Sequence, residues 1–186
     1  LLNLIILNLR PHKTAKNYKK IWFEKDNISP LRFYTRLQRD KLKNILRRKD
    51  VYIDYAMRYG NPSIKYKISS LKEKGCENII VLPLYPQYAS PTTASVCDEV
   101  YRVLLKMRWQ PSIQIVPHYE TNPFYINALV NSIKEKLKTL NYSPDLIITS
   151  YHGIPEKYFL KGDPYHCYCY KTTRLIEEKI NIKIPF

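Results

Sequence analysis

The run Ser150-Tyr151-His152-Gly153-Ile154-Pro155 sets a histidine where it can do chemistry. It follows the apolar stretch Leu146-Ile147-Ile148-Thr149 and precedes Gly162-Asp163-Pro164-Tyr165. An apolar segment that ends in a reactive side chain and then breaks on Gly and Pro reads as a strand. Such a strand delivers that side chain to the carboxyl edge of a parallel sheet. Imidazole ligates borderline metals and exchanges a proton near neutral pH, so His152 is the first candidate for metal binding and catalysis. The other histidines carry less. His118 follows another strand-like run and a structural role leads there, while His12 and His166 read as surface residues.

The elements that must position His152 follow from periodicity. Val51–Ala56, Ile79–Leu82, Ile113–Val116 and Leu146–Thr149 are short apolar runs that predict four strands. Between them lie helical patterns. Ile64, Ile68 and Leu71 recur at helical spacing, and Gly75 stands where a C-terminal cap belongs. Thr92–Met107 carries Val96, Val100, Leu104 and Met107 on one stripe. Asn122-Pro123 is a capping residue followed by proline at the first helical position, and Ile126, Leu129, Ile133, Leu137 and Leu140 point that helix inward. A further helix begins near Thr172. The alternation predicts an α/β fold, a parallel sheet with helices on both faces. Its strand-end loops begin at Met57-Arg58-Tyr59, Leu84–Tyr88, His118-Tyr119 and Tyr151-His152, and they bring Arg, Tyr and His together.

Composition narrows the classes. The 186 residues include 17 tyrosines against 5 phenylalanines, and a Tyr-rich edge suits a flat aromatic ligand; drift in an AT-rich genome produces the same excess and is weighted above it. The net charge of +15 fits nucleic acid, an anionic membrane surface or a solvated basic face. No nucleic-acid motif accompanies the charge, so the solvated face leads. Only 4 glycines occur and no phosphate-binding Gly loop, which argues against nucleotide binding. No apolar run approaches the ~20 residues of a membrane span. With no signal-peptide pattern ahead of Cys76, Cys97, Cys167 and Cys169, the expected compartment is a reducing cytoplasm. Cys167-Tyr168-Cys169 is too tight for the usual metal knuckle and reads as structural or incidental.

Five blocks in order carry a resemblance: Tyr18–Trp22; Ser29-Pro30-Leu31 with Thr35 and Gln38; Met57–Pro62; Leu82–Tyr88 with Thr92-Thr93; and Ser150–Cys169. Together they resemble bacterial ferrochelatases, lyases that insert ferrous iron into protoporphyrin IX to form protoheme. The family fold is a pair of similar Rossmann-like domains with the porphyrin in the cleft between them. By resemblance residues 1–186 are most of an N-terminal chelatase domain, with the first strand and the second domain absent. That second domain carries the acidic partner of the metal site. The chain alone is therefore expected to be inactive.

The resemblance implies that His152 coordinates iron or accepts a pyrrole proton. It also implies that Arg58 pairs a propionate, that Tyr59 packs on the macrocycle and that Ser29 lies near a propionate. Helix capping is an equal reading of Ser29, and an ion pair to a neighbouring loop is one of Arg58. Tyr85 and Tyr88 are pocket candidates, with packing as the other reading, and Tyr88 is kept as a substrate-binding residue. The apolar run Leu1–Leu7 matches the porphyrin-facing lip. Ser90 stands where animal members place an iron–sulfur cysteine, so nothing supports a cluster in this part of the protein. No permanently bound cofactor is expected, ferrous iron and porphyrin being substrates. The cytoplasm, with peripheral contact at the inner membrane face, is the expected location. Two alternatives stand beside the enzyme: a non-catalytic porphyrin- or metal-binding half-domain, and a small chelatase for cobalt or nickel.

Overall fold

The computed structural model describes residues 14–23 and 27–186. The expectations for Leu1–Leu7 and His12 lie outside them. The chain divides into two compact units, 1–71 and 72–186.

In the first unit a short helical segment over 14–19 precedes α1, Pro30–Leu46. Ser29 caps α1, its Oγ accepting the Arg32 N–H at 3.3 Å, with proline in the first turn behind it. Phe23, Phe33 and Tyr34 meet edge to face, with centroids 5.1 to 6.2 Å apart. Residues 51–56 do not pair as a strand. The Tyr55 N–H, one of the donors a ladder would need, is taken by the Asp54 carboxylate at 2.9 Å. That carboxylate also holds Lys67 at 2.6 Å, on α2, Ile64–Glu73, and lies 3.5 Å from the Arg39 guanidinium. The loop turns at Gly60 (φ 84°), and the Met57 N–H closes it on the Pro62 carbonyl at 2.8 Å.

The second unit is built on β1, Asn78–Val81, and β2, Ser112–Ile115, parallel and in register from Asn78 opposite Ser112 to Val81 opposite Ile115. Gly75 (φ 82°) makes the left-handed turn expected before β1. The crossover passes through a π-helical turn, Ser90–Ala94, into α3, Ser95–Leu104. Val96, Val100 and Val103 are buried there, while Leu104 and Met107 are half-buried. A 3.6-residue period lets Val103 share the stripe that spacing gave to Leu104. Asn122 caps α4, Pro123–Lys138, accepting the Phe124 N–H at 2.9 Å, as its sequence position predicts. A single turn, α5, Glu156–Phe159, leads to α6, Tyr165–Ile180.

The chain is thus α/β, with two paired strands among the described residues rather than four. The segment 146–149 stays extended but joins no ladder. Its Ile147 N–H bonds the Pro185 carbonyl at 2.9 Å, and Pro185 has no N–H to return. Leu146 and Ile148 are 52% and 80% exposed while Ile147 is half-buried, which is strand alternation without sheet partners.

Ile126 and Val130 of α4 close on Ile176 and Ile180 of α6, ringed by Tyr125, Leu129, Ile133, Leu175, Ile182 and Phe186. Phe186 and Ile182 follow α6 in a segment whose alternation reads as a strand but which packs on this core instead. Ile180 is 1% exposed. Ile180→Ala should lower unfolding free energy by about 2–5 kcal/mol in urea titrations. A loss under about 1 kcal/mol would show that this helix pair is not the core of its unit.

Candidate active site

His152 stands at the exposed end of the 146–152 segment, after which Gly153 and Pro155 turn the chain into α5. The segment is tied to α6 through hydroxyls. Tyr151 Oη lies 2.9 Å from Thr173 Oγ1, which donates to Thr149 Oγ1 at 3.3 Å.

The motif Gly162-Asp163-Pro164-Tyr165 then locks the neighbouring loop. The buried Asp163 carboxylate accepts the Ser90 N–H at 2.7 Å through Oδ2 and the Tyr165 N–H at 3.0 Å through Oδ1. Burial alone would raise its pKa. The Ser90 hydroxyl and the two backbone N–H groups outweigh burial and hold the carboxyl below its ordinary value. Asp163 therefore binds the turn that follows Tyr88 to the start of α6. Sequence reading quoted the motif but gave Asp163 no role. The signal was an Asp-Pro pair directly before a helix, an Asx-turn pattern.

A second junction lies beside it. Gln87 Nε2 donates to Thr172 Oγ1 at 2.9 Å, and Thr172 in turn donates to the Tyr168 carbonyl at 3.0 Å. His118 Nδ1 is 2.7 Å from Glu120 Oε2, and its ring stacks on Tyr168 at 4.9 Å. Glu120 is 1% exposed. These contacts give His118 the structural role expected of it. Exposed His166 sits against the Phe159 and Tyr170 rings. Cys167 is exposed and Cys169 buried, so the pair diverges.

Burial raises the pKa of the half-buried Tyr88, helped by nearby Cys97, Asp163 and Asp98. Tyr165 is pushed up to about 12 by burial and the Cys169 thiol, against an opposing hydrogen bond from the His152 backbone. In the first unit the Arg58 guanidinium lies over the Tyr59 ring, 4.6 Å from its centroid, and Tyr59 is 73% exposed. Thus Arg58 and Tyr59 are brought together, Ser29 caps α1, and Tyr88 and His152 are linked through the Asp163 turn. Among the described residues no three His, Cys, Asp or Glu side chains form a group that could hold a metal. A shallow hollow of about 390 Å³ on α6 is lined by His166, Cys167, Tyr170, Lys171 and Arg174, none of them an expected site residue.

The ferrochelatase family model matches residues 1–185. The chain belongs to the ferrochelatase family. It is 52% identical over 177 residues to the ferrochelatase of Allorhizobium ampelinum, a match covering 95% of this chain and 52% of that protein. It is 53% identical over all 186 residues to the ferrochelatase of Francisella tularensis subsp. tularensis, covering 55% of that protein. The subspecies novicida protein, also named ferrochelatase, is 52% identical over the same length. The chain spans about half the length of these relatives.

Asp163 gives the site a pH signature. A carboxyl whose folded pKa lies below its unfolded value of about 3.9 stabilises fully above that value. That contribution is lost as pH falls through the lowered folded pKa. Asp54, in the first unit, is lowered too: burial opposes the shift, and the Lys67 hydrogen bond, the Tyr55 N–H and the Lys67 and Arg39 charges outweigh it. The diagnostic comparison is therefore with the variant. Asp163→Asn should cost about 1–2 kcal/mol at pH 7, and its deficit should shrink below about pH 4 in urea titrations across pH. A deficit independent of pH would remove the ionised carboxylate from the account.

Proposed function

We propose that the protein is a ferrochelatase, inserting ferrous iron into protoporphyrin IX to form protoheme. Iron and porphyrin are both substrates, and metallation releases two pyrrole protons. His152 carries the ring nitrogen for this step. Neutral imidazole coordinates the incoming ferrous ion or takes a pyrrole proton, and its exposed ring passes that proton to water. Arg58 pairs a propionate through its planar fork, Tyr59 and Tyr88 pack against the macrocycle, and Ser29 offers its O–H to a propionate while its oxygen caps α1. The supporting observation is His152 at the exposed end of a segment tied to α6, in a chain of the ferrochelatase family. The net charge of +15 favours peripheral contact with anionic lipid at the inner membrane face of the cytoplasm. No helix among the described residues is long and apolar enough to cross a membrane.

The test is anaerobic metallation by the full-length protein, with ferrous, cobalt and nickel ions offered to protoporphyrin in parallel. Heme formation above the uncatalysed rate supports the reading, whereas turnover with cobalt or nickel alone would assign the protein to another chelatase. His152→Ala should remove more than about nine-tenths of turnover, that is, raise the barrier by at least ~1.4 kcal/mol, with the fold intact. Greater residual activity would take the reaction away from His152. Arg58→Ala should raise the Michaelis constant for porphyrin more than it lowers turnover. Lost turnover with unchanged binding would move Arg58 into the chemistry.

A further inference from the structure

No sheet partner among the described residues pairs with the backbone that carries His152. Among the described residues, segment 146–152 has one backbone–backbone bond to a neighbour, Ile147 N–H to the Pro185 carbonyl, five residues before the histidine, and the His152 backbone also bonds the Tyr165 hydroxyl. Yet a residue that meets a metal or a pyrrole nitrogen needs a defined position, because geometry sets the rate of such a step. Further fixation comes from the side chain of Thr173. Thr173 sits mid-way along α6, half-buried, with its hydroxyl 2.9 Å from Tyr151 Oη and 3.3 Å from Thr149 Oγ1. Thr173 donates to Thr149 and shares a hydrogen bond with Tyr151, so the three hydroxyls form one chain. Such chains strengthen each member. Threonine suits the centre of that chain, since its branched Cβ restricts χ1 and aims the hydroxyl from a rigid helix.

Alternation does the rest. Ile147 is half-buried between exposed neighbours, and Thr149 and Tyr151 follow it at two-residue steps onto α6. Ser150 and His152 therefore leave the segment on the opposite side.

We propose that Thr173 is a positioning residue for His152, its hydroxyl bridging Tyr151 and Thr149 so that the segment lies fixed on α6 and the imidazole projects in one direction. The proposal rests on the ferrochelatase reading of His152. Burial raises the Tyr151 pKa, with the Thr173 bond opposing, so Tyr151 is a phenol at neutral pH.

The experiment uses the full-length protein with Thr173→Val, which keeps the shape and removes the hydroxyl, and Thr173→Ser, which keeps the hydroxyl. Hydrogen exchange of amides 149–152, the porphyrin and iron kinetics and the melting temperature are read together. Thr173→Val should speed exchange of the His152 amide, which bonds the Tyr165 hydroxyl, about tenfold. It should lower kcat about fivefold or more, with the porphyrin KM changed less than about twofold. Melting should move by less than about 3 °C. Thr173→Ser should restore exchange and kcat. Unchanged exchange in Thr173→Val overturns the proposal. So does faster exchange with unchanged kcat, or a kcat loss that Thr173→Ser fails to rescue. Retained turnover in His152→Ala would instead sink the role of His152, while the exchange measurement still decides whether Thr173 holds the segment.

Discussion

One buried carboxylate joins two helix starts. Asp163 accepts the N–H of Ser90, which opens the turn into α3, and the N–H of Tyr165, which opens α6. The first N–H groups of a helix have no partner inside it and carry the positive end of its dipole. Serving two such ends with one anion satisfies orphan donors and places the charge where both fields favour it. The lowered pKa is the signature of that double occupancy, since burial by itself would have raised it. Remove the carboxylate, and the loop carrying Tyr88 and the helix that grips the His152 segment lose their common anchor.

The second junction works by a different rule. Thr172 receives the Gln87 amide and passes its own proton to the Tyr168 carbonyl, while the Glu120 carbonyl lies 3.5 Å away. Two loops from the carboxyl edge of the sheet thus converge on one turn of α6. Thr172 and Thr173 are adjacent, so their side chains point about 100° apart around the helix. One reaches the loops after β1 and β2, and the other reaches the segment before His152. A single helix can align three loops because two successive threonines divide the work.

How much of this could be read from the sequence depends on the range of each interaction. The Asn122 cap, the Gly75 turn, both paired strands and the α4 stripe came through, because each follows from residues within a few positions of one another. The four-strand expectation came from apolar runs alone. Residues 51–56 divert the Tyr55 N–H to Asp54, and among the described residues the one backbone bond of 146–149 to a neighbour goes to Pro185, facts that no local pattern contains. His152 was visible because its motif is local. Asp163 stood in the quoted motif, but its partner Ser90 is 73 residues away. Thr172 and Thr173 looked like ordinary helix residues for the same reason: their partners lie 22 to 85 positions away.

The tyrosine excess takes on a physical meaning at this edge. Tyr88, Tyr119, Tyr125, Tyr151 and Tyr165 all have pKa values raised by burial, Tyr119 and Tyr165 to about 12. At neutral pH they are phenols, not phenolates. A phenolate would be a hard anionic ligand able to hold iron, whereas a phenol is an apolar face with one donor. Burial thus keeps the aromatic edge uncharged, apolar on its ring faces and able to hydrogen-bond its neighbours. Imidazole is the side chain on the 146–152 segment whose chemistry suits proton exchange or metal binding. The division of labour is therefore electrostatic: tyrosines and threonines shape and hold, and under the proposed function the histidine is left to react.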